Sequence, residues 1–403
     1  MQTPLRLALV SAFPPGMQSL NEYGYHLARE LVARDDVAEV IVLADRLETP
    51  APELDLGPKL RVRRCWSFNS LATTPRLLHA LRAERVDAVL WNLQTASFGD
   101  REATAGLGLL APMLARHMGL PSGIIAHNIV AGVDLETTAL KGQRLRQAIV
   151  RAGGRLVTGA MMGASYTTVT LRSYAEHLQQ CFPRADVSLV PHGTFDRVAR
   201  PLRPLAERPR RIVTMGKFGT YKRLETLLAA FDILRRDPAF ADHELVIGGT
   251  DHPNTPGYMA ETAAARAGDA GVTFAGYVAE EDVPSFFEEA RLSVFDYSAT
   301  TGSSGVLHQT ASFGAVPVFP HIGDFVDVCR DEGLSGANYA PGDAAGMAEA
   351  MARLLGNLDA AEEIAAWNLT ASQEIPLSSV AGFHVEKLRG LAAPQPEGEL
   401  HPA

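Results

Sequence analysis

Short apolar runs alternate along the chain with longer stretches of helical periodicity. In the first half the runs read as strands at Leu5–Ser11, Val37–Leu43, Leu60–Cys65, Ala88–Trp91, Gly123–His127, Thr167–Leu171 and Val187–Pro191. The spacing between them predicts helices over Asn21–Arg34, Thr74–Glu84, Ala103–His117 and Ala139–Gly163. Residues 196–210 are rich in Pro and Arg, lack apolar periodicity, and read as a linker. The alternation then restarts. It predicts strands at Arg211–Met215, Glu244–Ile247, Val272–Ala275, Leu292–Asp296 and Val316–Phe319, and helices at Leu224–Arg235, Tyr258–Ala267, Glu281–Glu288, Val306–Ser312 and Gly346–Leu355. Alternation of this kind implies α/β architecture with mostly parallel, doubly wound sheets. The expected domains are 1–195 and 211–375. A C-terminal helix over 376–393 is expected to pack back toward the first domain, and the tail 394–403 to be disordered.

Composition narrows the class. A chain of 403 residues exceeds the size at which one core keeps growing, so two domains are expected. A formal net charge of -9 speaks against bulk attraction to nucleic acid. Three widely spaced cysteines, Cys65, Cys181 and Cys329, show no metal-ligand spacing and suit a reducing, cytoplasmic compartment. The opening apolar run is too short for a signal peptide, and no run approaches the roughly 18 residues of a membrane span.

The most informative stretch is LSVFDYSATTGSSGVLHQTASFGAVPVFP, from Leu292 to Pro320. It reads as strand, small-residue loop, helix, Gly turn and strand. The loop Thr300–Gly305 leads directly into the helix, whose start leaves backbone N–H groups without intrahelical partners and favours negative charge. Gly302 and Gly305 permit close backbone approach, and Ser303 and Ser304 add donors. This is a candidate seat for a nucleotide diphosphate; a capped helix start with a tight turn reads the same residues equally well.

Gly216-Lys217-Phe218-Gly219-Thr220-Tyr221-Lys222-Arg223 follows the first strand of the second half. Its cations suit a diphosphate, against the alternative of a solvated basic loop. Phe13-Pro14-Pro15-Gly16, with Asn21 and Glu22 opening the next helix, ends the first strand. Turn chemistry alone accounts for its Pro and Gly, and a substrate contact is the other reading. His127-Asn128 falls at a strand's carboxyl edge, where a polar site contact is favoured over a core histidine. Pro191-His192-Gly193 reads as a hinge-facing turn. Between Thr137 and Ala175 there is no Asp or Glu, while Lys141, Arg144, Arg146, Arg151 and Arg155 are basic. That suits a contact with an anionic membrane surface or acceptor, or an ordinary solvated helix face. Asp251, His252 and Asp296 are scattered near strand ends. No H-E-x-x-H, paired-Cys or nucleophile-elbow motif occurs, so no metal is expected.

Nearly the whole chain resembles the family-4 retaining glycosyltransferases, whose fold is GT-B: two Rossmann-like domains facing a cleft. The blocks that carry the resemblance are GKFGTYKRLETLLAAF, LVIGG, VTFAGYVAEEDVPSFFEEARLSVFDYS, GSSGVLHQTASFGAVPV and YAPGDAAGMAEAMARLL, in that order. PPG…YGYHLARELV and AHN fit less specifically. The resemblance implies that Lys217 and Lys222 hold the donor diphosphate, with Gly216 beside them. It implies that Tyr277 and Val278 read the base, and that His127 faces the donor sugar. Gly16 falls near the family's N-terminal glycine loop, without the usual Gly-Gly pair. The family's E-x(7)-E motif maps to Thr301 and Gln309, so both carboxylates are absent.

The reading is thus a metal-independent transfer of a sugar, with retention, from a nucleotide-diphosphate sugar to an acceptor hydroxyl, in polysaccharide or glycolipid assembly. No cofactor beyond the donor is expected. Lys217, Lys222 and the amides of Ser303–Gly305 would stabilise the leaving diphosphate. Gly16, Asn21, Glu22 and Asn128 stand on the acceptor side. Two alternatives stay open: a catalytically inactive module that binds nucleotide or a partner glycosyltransferase, and a sugar-nucleotide epimerase.

Overall fold

The computed structural model describes residues 3–47, 49–52, 54–129, 144–195, 201–299 and 302–392. The chain divides into two compact units, residues 1–191 with 377–403, and residues 192–376.

The first unit contains β1 (Leu5–Val10), α1 (Asn21–Val32), β2 (Val37–Asp45), β3 (Leu60–Trp66), α2 (Thr73–Glu84), β4 (Ala88–Leu93), α3 (Glu102–Gly108), α4 (Ala111–His117), β5 (Ser122–Ala126), α5 (Arg144–Met161), β6 (Tyr166–Val169), α6 (Arg172–Cys181) and β7 (Val187–Leu189). Its seven strands form one parallel sheet in the order β3-β2-β1-β4-β5-β6-β7. The central strands are buried on both faces, which is why they read as unbroken apolar runs. The expected helix Ala103–His117 is two helices. Pro112 has no amide to donate and clashes with the carbonyl four residues back, so the first helix ends at Gly108.

The second unit contains β8 (Arg211–Phe218), α7 (Glu225–Leu234), β9 (Glu244–Asp251), α8 (Tyr258–Ala265), β10 (Val272–Gly276), α9 (Val283–Glu288), β11 (Leu292–Val294), α10 (Gly305–Ser312), β12 (Val316–Pro320), α11 (Gly323–Glu332), β13 (Ala337–Tyr339), α12 (Ala344–Leu355) and α13 (Leu358–Glu374). Its six strands are parallel in the order β10-β9-β8-β11-β12-β13. In both sheets the strand order reverses beside the unit's first strand, between β1 and β4 and between β8 and β11. Open parallel sheets bind ligands at the carboxyl ends of strands at such a reversal.

The last helix, α14 (Leu377–Ala392), belongs to the first unit and packs on α1 and β4. The Tyr166 hydroxyl lies 2.8 Å from His384 Nδ1, and Lys387 and Arg389 pair with Asp186 and Asp36. Gly123 makes room for this tie, since a Cβ there would sit 2.3 Å from the Tyr166 ring.

The Pro- and Arg-rich stretch is less of a linker than its composition suggests. Its segment 196–200 lies outside the described residues, as does the tail 394–403. From Leu205 onward it is packed onto the second unit: Leu205 is fully buried, and the Arg208 guanidinium donates to Ala290 O and Gly314 O, each at 2.9 Å. One apolar anchor and one donor fork suffice for this without any periodic pattern. The boundary between units accordingly falls after Pro191.

Candidate functional site

In the second unit the basic loop grows out of β8. Gly216 pairs in register with Gly249 of β9. Gly249 has φ 136°, and a Cβ there would lie 1.9 Å from Gly216 O, so the two backbones need this glycine to approach. The chain then turns through Gly219, whose N–H donates to Lys222 O at 2.8 Å. Lys222 forms an isolated antiparallel bridge with Tyr297. On either side, Ser298 N donates to Tyr221 O and Arg223 N to Asp296 O, both at 2.8 Å. The loop is thereby laced to the chain leaving β11.

Lys222 Nζ stands 4.7 Å from the centroid of the buried Tyr297 ring. Burial pushes the Tyr297 phenol up, while Lys222 and Ser304 act against that shift. His252, whose amide donates to Phe218 O at 2.7 Å, is held below its ordinary pKa by burial and by Lys217 and Lys222.

Ser304 caps α10, its Oγ accepting from Leu307 N at 3.4 Å. Gly302, at φ 109°, donates its amide to Asp324 Oδ2 at 2.8 Å. Among the described residues the buried Ser303 hydroxyl has no hydrogen-bond partner. Gln309 is buried on the same helix. At the end of β10, Val278 packs its Cγ2 over Gly248, and Tyr277 is 52% exposed. Both line a hollow of about 270 Å³ with Arg211, Phe286 and Glu289.

Asp296 and Asp251, polar residues at strand ends, are helix caps. Asp296 Oδ2 accepts from Thr226 N and Leu227 N at the start of α7. Asp251 accepts from Gly257 N and Met259 N at the start of α8.

In the first unit a polar chain crosses the strand reversal. His127 Nε2 lies 2.7 Å from Asn92 Oδ1, Asn92 Nδ2 donates to Ser11 Oγ at 2.9 Å, and Ser11 Oγ donates to Ala12 O. Asn92 Nδ2 also faces Leu20 O, which can only accept. That fixes the amide orientation, so His127 carries its proton on Nε2. Burial lowers the His127 pKa to about 3 and keeps the ring neutral. Tyr23 packs edge-on against it at 4.4 Å. Asn21 Nδ2 donates to Gly16 O at 2.7 Å, and Arg64 Nη2 donates to Pro14 O at 2.7 Å. Asp45 Oδ1 accepts from Phe13 N, and Asp45 lies directly over Gly16. Asn128 Oδ1 accepts from Thr95 N, and Glu22 is exposed.

Residues 209–357 match the family model described as Glycosyl transferases group 1. Over this segment the chain is similar to the group 1 glycosyltransferases. Solved structures extend the likeness over both units. Sucrose-phosphate synthase from Thermosynechococcus elongatus aligns with a TM-score of 0.73 at 18% identity, covering 97% of this chain and 99% of that one. A UDP-forming α,α-trehalose-phosphate synthase from Burkholderia vietnamiensis aligns at 0.67 and 13%, covering 98% and 100%. Anabaena HepE in complex with UDP aligns at 0.63 and 14%, covering 95% and 99%. At such identities the likeness shows the fold, two Rossmann-like units of the GT-B class. A comparison with curated protein sequences finds no significant match.

Within residues 209–357 the structure brings Gly216, Lys222, Ser304 and Gly305 to one end of the sheet, and Tyr277 with Val278 to another strand end. Thr301 lies outside the described residues. So does Lys141, along with the side chains of Arg144, Arg146 and Arg151; Arg155 is exposed. Sequence reasoning missed Tyr297, Asp324, Asn92 and Arg64. The Asn after the apolar run of β4 was the one readable signal among these. No group of His, Cys, Asp and Glu that could hold a metal occurs among the described residues, and no described helix is long and apolar enough to cross a membrane.

Proposed function

We propose that the protein is a retaining glycosyltransferase that moves a sugar from a nucleoside-diphosphate sugar to an acceptor hydroxyl. The observation that carries this reading is the Lys222 ammonium over the Tyr297 ring, on the chain segment that leads from β11 into the small-residue start of α10. As the donor bond breaks, negative charge grows on the diphosphate. Lys217 and Lys222, with the amides around Ser303–Gly305, supply positive potential where it develops. Tyr277 and Val278 are assigned to the base, Gln309 to the ribose hydroxyls and Thr301 to the sugar. His127, whose single proton is given to Asn92, is assigned to the sugar as a neutral acceptor, and Gly16, Asn21, Glu22 and Asn128 to the acceptor side. HepE structures with UDP and with UDP-glucose favour a uridine donor.

A second reading is a catalytically inactive module that binds nucleotide or a partner glycosyltransferase. It is favoured by Gln309, an amide where the motif carries a carboxylate. Calorimetric titration of UDP, GDP, ADP and dTDP without divalent metal, followed by a donor-hydrolysis assay, separates the two. Tight binding of one nucleotide with slow donor hydrolysis supports transfer. Binding without hydrolysis or transfer supports the inactive module, and binding of none removes both.

Assembly of a polysaccharide or glycolipid is the acceptor pathway we favour. The acid-free segment with Lys141, Arg144, Arg146, Arg151 and Arg155 supports a peripheral contact with an anionic bilayer. Failure to sediment with anionic liposomes at low salt would remove that contact and bring a soluble acceptor forward.

A further inference from the structure

Behind the start of α10 lies a buried pair that this reading leaves unused. His308, in the first turn of α10, places Nδ1 2.8 Å from Ser304 O and Nε2 2.5 Å from Glu332 Oε2 at the end of α11. The two side chains are 3% and 5% exposed. The His192 ring stacks on His308 with centroids 4.7 Å apart. A carbonyl oxygen only accepts, so Nδ1 carries a proton. A carboxylate at such a short distance requires a second proton between Nε2 and Glu332. Burial opposes a charged ring, yet Glu332 and the Ser304 carbonyl outweigh it, and the His308 pKa lies above its ordinary value.

Gly305 is the first residue of α10, a position whose amide has no intrahelical acceptor. The Ser304 carbonyl and the Gly305 amide share one planar trans peptide, in which C=O and N–H point in opposite directions. The amides of Leu307 and His308 also donate to this oxygen, at 3.0 and 3.3 Å; the His308 ring adds a charged donor behind it, and holding the oxygen there aims the N–H out of the helix start. A charged donor on that oxygen forms a bond roughly twice as strong as a neutral one and polarises the peptide, strengthening the N–H.

We propose that His308, held by Glu332, is a positioning residue that aims the Gly305 amide at the diphosphate of the bound nucleotide. The inference rests on the nucleotide-binding reading above. When the shared proton leaves, the ring keeps one N–H and must abandon either Ser304 or Glu332, with lone pairs facing each other at the abandoned contact. Nucleotide affinity therefore falls as pH rises through the titration of the pair. The groups facing the pair are few. His192 stacks on the ring. Cys329, on the same helix as Glu332, has its thiol pushed up to about 12 by burial and by Glu332. From α9, α13 and β12, which also pack on α10, no charge shifts His308.

The test titrates the full chain from pH 6.5 to 8.5 with whichever of UDP, GDP, ADP or dTDP the wild type binds. Wild-type affinity should fall toward high pH. Glu332→Gln should move that fall to lower pH and weaken binding about ten-fold at pH 7.5. His308→Asn keeps a donor for Ser304 but has no titrating ring. It should bind nearly as well as wild type at pH 6.5, with a flat profile. The nucleotide's own titration is common to all three and cancels in their ratios. Profiles identical in wild type, Glu332→Gln and His308→Asn overturn the positioning role and leave the nucleotide site standing. Binding of no nucleotide by the wild type overturns the nucleotide reading and this inference with it.

Discussion

Lys222 Nζ sits 4.7 Å above the Tyr297 ring, and the backbones of the same two residues pair as an antiparallel bridge. The ring thus fixes both the position and the orientation of the ammonium before any ligand arrives. Tyr297→Phe keeps the ring face and should bind nucleotide close to wild type. Tyr297→Leu removes it, and binding should weaken by about 0.5–2 kcal/mol. Calorimetry on the two variants checks the ordering; equal losses would mean that the hydroxyl, not the ring face, holds the lysine.

Lys217 and Lys222 should differ from surface lysines in their effect on turnover. Charge reversal in Lys217→Glu places a carboxylate at the assigned diphosphate seat and should lower transfer by about 100-fold or more. Unchanged transfer in a steady-state assay would remove Lys217 from the site.

Gly249 is held at φ 136° with Gly216 O in the place a Cβ would take. Gly249→Ala must push β8 and β9 apart where the basic loop begins, at a cost of about 1–3 kcal/mol. Nucleotide affinity should fall together with the stability of the second unit, read as a lowered melting temperature.

Two buried histidines set the acid side of stability. Burial lowers both His127 and His384 to about 3, against roughly 6.5 when unfolded. Between those values the unfolded chain binds the extra protons, so stability is intact above about pH 6.5 and is lost as pH falls. The slope reaches at most about 2.7 kcal/mol per pH unit for the two sites together. Urea unfolding at pH 7.5, 6.5 and 5.5 should show this slope, and His127→Gln combined with His384→Gln should flatten it.

Tyr166→Phe should leave His384 Nδ1 without its partner, and His384 Nε2 already has none among the described residues. The cost should be about 1–3 kcal/mol in the first unit. A melting temperature equal to wild type would show that the Tyr166 hydroxyl contributes nothing to holding α14.

Much of this architecture can be read along the chain because a parallel sheet buries its strands on both faces, and each strand leaves an apolar run. The start of α10 was legible for a local reason: Ser304 and the glycines around it lie within a few residues of the helix they cap. Other features depend on partners distant in sequence. Glu332 lies 24 residues beyond His308, and His384 lies 218 beyond Tyr166. Neither pair has a spacing that periodicity could reveal. β13 is three residues long, too short to show a period. α11 buries only Phe325 and Val328, a weak stripe in a charged helix. The helices α6 and α13 escaped for the same reason, since polar residues outnumber the few positions they bury.

The return of α14 to the first unit has a consequence for how the protein is made. Residues 192–376 form a contiguous unit, so its folding does not depend on α14. The amino-terminal unit, although its first 191 residues are made earlier, lacks the helix that covers α1 and β4 until residues 377–392 have left the exit tunnel. Its apolar surface must wait, and ribosome stalling or a premature stop before Leu377 should yield a chain with a finished second half and an unfinished first.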